Sequence, residues 1–150
     1  MKRVAILSDT HGLLREEVKE QLQIADVIIH AGDINTQTIL DQMQEMGKLY
    51  IVRGNNDKEW AKDLPQNLRL KIEDVNFYVV HNKKDIPKDL SEVDVIVYGH
   101  SHKYEEKTVD GILMLNPGSC GKRRFDLEIT MCLMTVDKDK MTVEKIVIPH

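Results

Sequence analysis

The sequence has few of the residues that a disulfide-stapled or nucleic-acid-binding protein requires. It contains only two cysteines, Cys120 and Cys132, among 150 residues. A chain of this length has ample core without disulfides, so a reducing cytoplasm is its simplest setting. Acidic residues outnumber basic ones, and the formal net charge is −4. Because affinity for a phosphate backbone needs a concentrated basic surface, stable nucleic-acid binding is not expected.

Long apolar runs and linker-like stretches are also absent from the sequence. The first apolar run, Val4 to Leu7, ends before Asp9 and is too short for the core of a signal peptide. No other segment approaches the length of a membrane span, so no membrane association is expected. No Pro/Gly/Ser-rich stretch, repeat or low-complexity tract divides the chain. We therefore predict a single domain over residues 1–150 with a substantial core.

The first third of the chain alternates strand-like and helix-like segments. Strands are predicted for Lys2 to Leu7, for "DVIIHAGD" and for "KLYIVRG". Between them, apolar residues recur at helical spacing, namely Leu14, Val18, Leu22 and Ala25 in one segment and Ile39, Met43 and Met46 in the next. This βαβαβ order favours parallel strands with helices on their faces, joined by right-handed crossovers.

The second half of the chain is rich in strand signals. Strands are predicted for Arg69 to Ile72, Phe77 to Val80 and Val93 to Tyr98, and two hairpins follow at "DG" and "DKDK". The hairpin strands are Tyr104 to Val109 with Ile112 to Leu115, and Leu127 to Val136 with Met141 to Ile148. This half therefore predicts a second, largely antiparallel or mixed sheet. Two sheets packed face to face, with helices outside, would bury the apolar faces of all these elements.

Five of the predicted strands are followed by residues that commonly ligate metals. The seven candidates are Asp9 and His11 in "SDTH", Asp33 in "GD", Asn55 in "GNND", His81, and His100 and His102 in "GHSH". In open α/β sheets, ligands bind beyond the carboxyl ends of the strands, so these side chains are expected to converge. Gly32, Gly54 and Gly99 suit the tight turns that such an edge needs.

Taken singly, most of these motifs carry little weight. In a chain of this composition, Asp-x-His is expected by chance about half a time and Gly-His-x-His about once in a hundred chains. His81 alone is more often a core or strand-end histidine, and Asn55 alone is an ordinary turn residue. The prediction of a metal site rests on the order of the motifs taken together and on the position of each at the end of a strand. His30 matches no ligand position and is expected to have a structural role or to support the ligands.

In this order the motifs resemble those of the calcineurin-like metallophosphoesterases, whose series is DxH, GD, GN followed by H/C and D/E, a solitary His, and GHxH. The match covers almost the whole chain, and "NPGS" from Asn116 to Ser119 is similar to the small bacterial and archaeal phosphodiesterase branch. The resemblance implies an α/β fold, a four-layer αββα sandwich of two mixed β-sheets flanked by helices. It also implies hydrolysis of a small phosphate ester, more specifically a phosphodiester.

The resemblance further implies a centre of two divalent metal ions. One ion would take Asp9, His11 and His102, and the other Asn55, His81 and His100, with Asp33 bridging them; catalytic roles would fall to Asp33, Asn55, Asp57 and His100. This donor set suits Mn, Fe, Ni or Zn, and family habit favours Mn²⁺. With a local charge of about +2, such a centre attracts phosphate esters. It can also hold a bridging hydroxide for in-line attack.

Two departures from the family pattern bear on activity. The residue after "GN" is Asn56, where many relatives have a histidine that protonates the leaving group. His81 is followed by "NKKD" instead of glycine, and only 18 residues separate it from His100. The helix expected in this interval must therefore be reduced to a turn or two, which leaves the substrate pocket more open.

A protein-binding scaffold of the same fold is the alternative function. A eukaryotic retromer subunit shares this fold while lacking an intact catalytic set, and it uses its surface for partners. The intact ligand series favours the enzyme, whereas Asn56 keeps the scaffold in consideration. Arg123 and Arg124 either hold a phosphate or lie in a solvated loop, and the role of Cys120 and a homo-oligomeric state are left open.

Overall fold

The computed structural model describes residues 1–55, 57–121 and 127–149. Its strands are β1 (Lys2–Leu7), β2 (Val27–His30), β3 (Lys48–Ile51), β4 (Asn67–Ile72), β5 (Val75–Val80), β6 (Val95–Val97), β7 (Glu105–Val109), β8 (Ile112–Asn116), β9 (Ile129–Asp137) and β10 (Lys140–Ile148). Its α-helices are α1 (Glu16–Ile24) and α2 (Gln37–Met46). No helix in the described ranges is long and apolar enough to cross a membrane.

The strands form two mixed five-stranded sheets. The first has the order β10-β9-β1-β2-β3, in which β1, β2 and β3 are parallel and the β9–β10 hairpin is antiparallel to β1. The second has the order β4-β5-β6-β8-β7, with β5, β6 and β8 parallel. The hairpin pattern of the sequence predicts β9 and β10 in the second sheet, and the structure places them in the first. β1 is thereby a central strand, paired with β2 on one edge and β9 on the other, and its residues 4–7 are fully buried.

The main core lies between the two sheets. Val4 and Ile6 of β1 pack there with Phe77, Val97 and Cys132 from the other strands. On the outer face of the first sheet, α1 and α2 bury the apolar residues that the helical spacing predicts, among them Val18, Leu22 and Met43. The helices and the two sheets are therefore three of the four layers of the predicted sandwich.

A segment without an α-helix covers the outer face of the second sheet. It contains a single 3-10 turn, Lys83–Asp85, and its Ile86 and Leu90 pack against Tyr78 and Tyr98. The α/β sandwich of two mixed sheets is therefore confirmed. Its fourth layer has no α-helix and is reduced to the turn that the short interval between His81 and His100 predicts.

The loops after the parallel strands of both sheets meet at one edge of the sandwich. Gly32 follows β2 with a φ of +103°, and a Cβ there would lie 2.8 Å from Nδ1 of His81 in the other sheet. A Cβ on Gly99 would overlap Oγ of Ser8. Only glycine permits this approach, which brings the ligand-bearing loops of the two sheets together.

Candidate metal centre

Asp9 follows β1, and hydrogen bonds fix one of its carboxylate oxygens while the other accepts none from the described residues. Oδ2 accepts from Oγ of Ser8 at 2.7 Å and from the backbone N–H of His100 at 3.1 Å. Oδ1 has no hydrogen-bond partner among the described residues, and it lies 3.5 Å from Nε2 of His11 and 3.4 Å from Nε2 of His102. Burial raises the pKa of Asp9, but the imidazoles of His102 and His11 outweigh it and hold the pKa below its usual range. Asp9 is therefore an anion that faces two imidazoles.

His11 and His102 form a buried pair that faces Asp9. Their Nε2 atoms are 3.2 Å apart and their ring centroids 5.0 Å apart. Together with a carboxylate oxygen of Asp9, one nitrogen from each ring forms a group of donor atoms within 4.8 Å of one another. Tetrahedral ligand atoms about 2.1 Å from a metal ion lie about 3.4 Å apart. The separations in this group therefore fit a single divalent cation bound by all three residues.

Asp33, at the end of the β2 loop, lies between this group and His81. Its Oδ2 is 3.7 Å from Nε2 of His11 and 3.2 Å from Nε2 of His81. Nδ1 of His81 donates to the carbonyl oxygen of Ala31 at 2.8 Å, which leaves Nε2 facing Asp33. Asp9, Asp33 and His81 form a second compact group of possible ligands. Asp33 therefore lies between His11 and His81.

The pKa of His81 follows from these two carboxylates. Burial alone would lower the pKa of His81, but the adjacent carboxylate of Asp33 and the charge of Asp9 raise it above its ordinary value. The metal-free ring therefore binds its proton more tightly than an ordinary histidine does. A cation that binds at Nε2 must displace a proton from it.

His100 and Asn55 border the second group from the solvent side. Both are exposed, and both line a cleft of about 430 Å³ together with His81 and Arg53. The ring of His100 makes an edge contact with that of His81, with centroids 5.3 Å apart. His100 lies outside both compact donor groups. Ligation by Asn55 and His100 therefore stays a prediction, and either residue can meet a molecule in the cleft.

Asp57 is buried and its carboxylate accepts hydrogen bonds from the loops that carry the ligands. Oδ2 accepts from the backbone N–H of Asp33 at 3.0 Å and of Gly54 at 2.9 Å, and Oδ1 accepts from that of Asn35 at 2.8 Å. Three bonds to main-chain donors fix the position of the loop that bears Asp33. This geometry makes Asp57 a positioning residue, and a direct part in the reaction stays a prediction.

His30 links two ligand loops from inside the core. Nδ1 accepts from the backbone N–H of Gly32 at 3.0 Å, so Nε2 carries the proton and donates it to Oγ1 of Thr10 at 3.2 Å. Complete burial lowers the pKa of His30 to about 3, which keeps the ring neutral. Thr10 precedes His11 and Gly32 precedes Asp33, so the two hydrogen bonds of His30 support the loops that carry these candidate ligands, as the sequence predicts.

Asn116 and Ser119 hold the same loops, and sequence reasoning gave them no role. Nδ2 of Asn116 donates to the carbonyl of Gly99 at 3.2 Å and to Oγ of Ser101 at 3.1 Å. Oγ of Ser119 donates to the carbonyl of Asp9 at 2.9 Å. The "NPGS" motif at the end of β8 was the signal that could have revealed this function.

The backbone of several candidate ligands is in the left-handed region. Five of the candidate ligands have a positive φ, namely Asp9, His11, Asp33, His100 and His102, with values from 46° to 75°. Each such residue costs about 1–3 kcal/mol, and such conformations cluster at functional sites where the surroundings enforce them. Asn56, Arg123 and Arg124 lie outside the described residues.

The chain is similar to proteins of one family over most of its length. The model of the calcineurin-like phosphoesterase superfamily domain matches residues 1–139. A probable metallophosphoesterase of Methanocaldococcus jannaschii is 32% identical over 151 residues, covering 90% of this chain and 77% of that protein. A phosphodiesterase of the same organism is 27% identical over 140 residues, covering 79% of this chain and 84% of that protein. Among solved structures, Vps29 of Chaetomium thermophilum shares the fold, with a TM-score of 0.81, 18% identity and 98% of each chain covered.

Proposed function

The chain belongs to the calcineurin-like phosphoesterase superfamily, and from that premise we propose that it is a phosphodiesterase acting on small esters with two divalent metal ions. The observation that carries the proposal is the carboxylate of Asp9. Its Oδ2 is held by Ser8 and by the His100 backbone, while its buried Oδ1 faces two imidazole nitrogens without a hydrogen bond from the described residues. A buried anion in this arrangement is costly unless a cation meets it.

The donor atoms fit the cations that the family implies. Asp9, His11 and His102 would hold one ion, and His81 with Asn55 and His100 the other, with Asp33 between them. We propose Mn²⁺ as the native metal, with Fe, Ni and Zn as alternatives, because the set contains no thiolate. Bound divalent ions would supply Lewis-acid activation of water and neutralise charge on the phosphoryl group.

The chain's own residues then bind and orient the ester. The cleft beside His81 has room for a small diester, and Arg53, Asn55 and His100 line its wall with donors. Asp57 and His30 hold the loops that carry the ligands in place. Asp57 accepts from the main chain of Asp33, and His30 contacts the hydroxyl of Thr10. Asn56 follows Asn55 where a histidine would protonate a leaving group. This residue favours diesters with good leaving groups.

A protein-binding scaffold is the second candidate. The fold of Vps29 from Chaetomium thermophilum covers nearly the whole chain, and Asn56 removes one group that catalysis would use. The two candidate functions are distinguished by whether the protein hydrolyses a phosphodiester. A cytoplasmic setting and a single domain stay predictions, and a homo-oligomeric state stays open.

The test is metal-restored hydrolysis of bis(p-nitrophenyl) phosphate. Protein stripped with a chelator should be inactive and should recover activity when Mn²⁺ is added, whereas Asp9→Asn, which removes the charge at Oδ1, should not recover. No release of nitrophenol with Mn, Fe, Ni or Zn would overturn the enzyme. Specific capture of a protein partner by the same inactive preparation would then support the scaffold.

A further inference from the structure

A second cavity adjoins the metal centre on the far side of His100. It has a volume of about 370 Å³, and we call it the lysine pocket because Lys83, Lys84 and Lys103 line it, with Tyr98, His100 and Glu105. Lys83 and Lys84 belong to the 3-10 turn after β5, and Lys103 follows His102. Two separate segments therefore bring three cations to one concave surface, in a protein whose net charge is −4.

The lysine pocket neighbours the cleft beside His81. His100 and Asn82 line both cavities. A molecule with a phosphate near His81 can therefore extend past His100 and place its next group among the lysines. This is the segment in which "NKKD" replaces the family's glycine after the solitary histidine.

The charges of the lysine pocket are not cancelled within it. Its single carboxylate, Glu105, accepts from the hydroxyl of Tyr98 and lies 3.9 Å from Nζ of Lys83 and 3.6 Å from Nζ of Lys107. Among the residues that the structure describes, the ammonium groups of Lys84 and Lys103 form no ion pair. Three lysines against one glutamate leave the lining at about +2.

We propose that the lysine pocket binds a second phosphate group of the substrate, so that the preferred substrates are phosphodiesters carrying a further phosphate beyond the scissile one. This inference rests on the proposed function. Lysine binds phosphate as a mobile point charge, which suits a terminal phosphate of varied orientation. Three lysines are too few for the backbone of a polynucleotide, whose binding needs a long basic surface. The ligand is therefore a small, doubly phosphorylated ester.

Two matched esters test the proposal. Thymidine 5′-(p-nitrophenyl phosphate) has only the scissile phosphate, and its 3′-phosphorylated form adds the second. The native protein should prefer the 3′-phosphorylated ester by about tenfold in kcat/KM, mainly through a lower KM. The triple variant Lys83→Ala/Lys84→Ala/Lys103→Ala should bring the ratio close to one. Lys88→Ala removes an exposed lysine of the same segment that does not line the lysine pocket, and it should keep the native ratio.

The outcomes separate this proposal from the proposed function. Hydrolysis of both esters at equal efficiency by the native protein would overturn the lysine pocket and leave the phosphodiesterase intact. An equal loss of preference in Lys88→Ala would also overturn it, as would a steady gain in rate with oligonucleotide length. If neither ester is cleaved, calorimetry on the metal-loaded protein decides: tighter binding of thymidine 3′,5′-bisphosphate than of thymidine 5′-monophosphate, lost in the triple variant, supports the pocket, and equal binding overturns it.

Discussion

Nε2 of His11 lies 3.2 Å from Nε2 of His102 in the interior of the protein. Two imidazole nitrogens at this distance repel each other when both carry lone pairs or both carry protons. They are compatible with one shared proton or with a cation that both coordinate. Oδ1 of Asp9 faces the same two nitrogens. A cation coordinated by all three atoms therefore explains the arrangement.

Asp33→Asn should abolish hydrolysis and weaken both metal ions. Oδ2 of Asp33 faces both His11 and His81, so one substitution removes charge from both groups. An amide of the same size keeps the shape and loses the charge that divalent cations require. Elemental analysis after dialysis measures the loss. Two ions per chain together with near-native turnover would show that Asp33 does not bridge.

His100→Ala and His102→Ala should lose different ions, although the residues are two positions apart. His102 is buried against His11 and Asp9, whereas His100 is exposed and contacts His81. Both residues lie beyond the end of β6 at Val97, and both have a positive φ. Anomalous scattering at the metal edge identifies which site empties. An empty His11 site in both variants would refute the assignment.

Metal affinity should rise with pH across the neutral range. The carboxylates of Asp33 and Asp9 raise the pKa of His81 despite its burial, so the metal-free ring keeps its proton to a higher pH than an ordinary histidine. Binding at Nε2 needs the neutral ring and therefore releases that proton, which penalises binding below the raised pKa and not above it. Calorimetry of Mn²⁺ binding in buffers of different ionisation enthalpy counts the protons. Unchanged affinity from acid to neutral pH, with no proton released, would contradict this.

Asp57→Asn should destabilise the protein by about 1–3 kcal/mol and weaken metal binding. An amide has one acceptor oxygen in place of two, so main-chain donors of Asp33, Gly54 or Asn35 lose partners in a buried site. Thermal unfolding measures the first effect, and Mn²⁺ titration the second. Asp63→Asn, at an exposed carboxylate, is the matched control and should change neither. Native Mn²⁺ affinity in Asp57→Asn would leave Asp57 with a structural role alone.

The rate of hydrolysis should depend steeply on the leaving group. With Asn56 where a proton donor would stand, the departing oxygen must bear its negative charge unaided, so aryl diesters should react much faster than alkyl ones. A positioned general acid contributes about 10²–10⁴-fold. Asn56→His should therefore recover part of that range for alkyl esters and change aryl esters little. A series of leaving groups of graded acidity measures the slope in both proteins, and a flat slope in the native protein would mean that another group supplies the proton.

The sequence predicted the elements and the order of the site residues better than the contacts among them. The alternation of apolar residues and the strand-end motifs are local, so β1, α2 and the polar edge were predictable. The place of β9 beside β1 was not, because it depends on which strand needs a second neighbour in three dimensions. The hydrogen bonds from the main chain of Asp33 and Asn35 to Asp57 were also out of reach, since they join residues 22 to 24 positions apart through loops with positive φ.

The most direct test of the account is a titration of stripped protein with Mn²⁺ in which bound ions and hydrolysis of bis(p-nitrophenyl) phosphate are measured in the same samples. A centre of two ions predicts that each chain binds two and that turnover follows the second one. Full turnover with a single ion per chain, or no turnover at saturation with Mn, Fe, Ni or Zn, would contradict the two-metal phosphodiesterase.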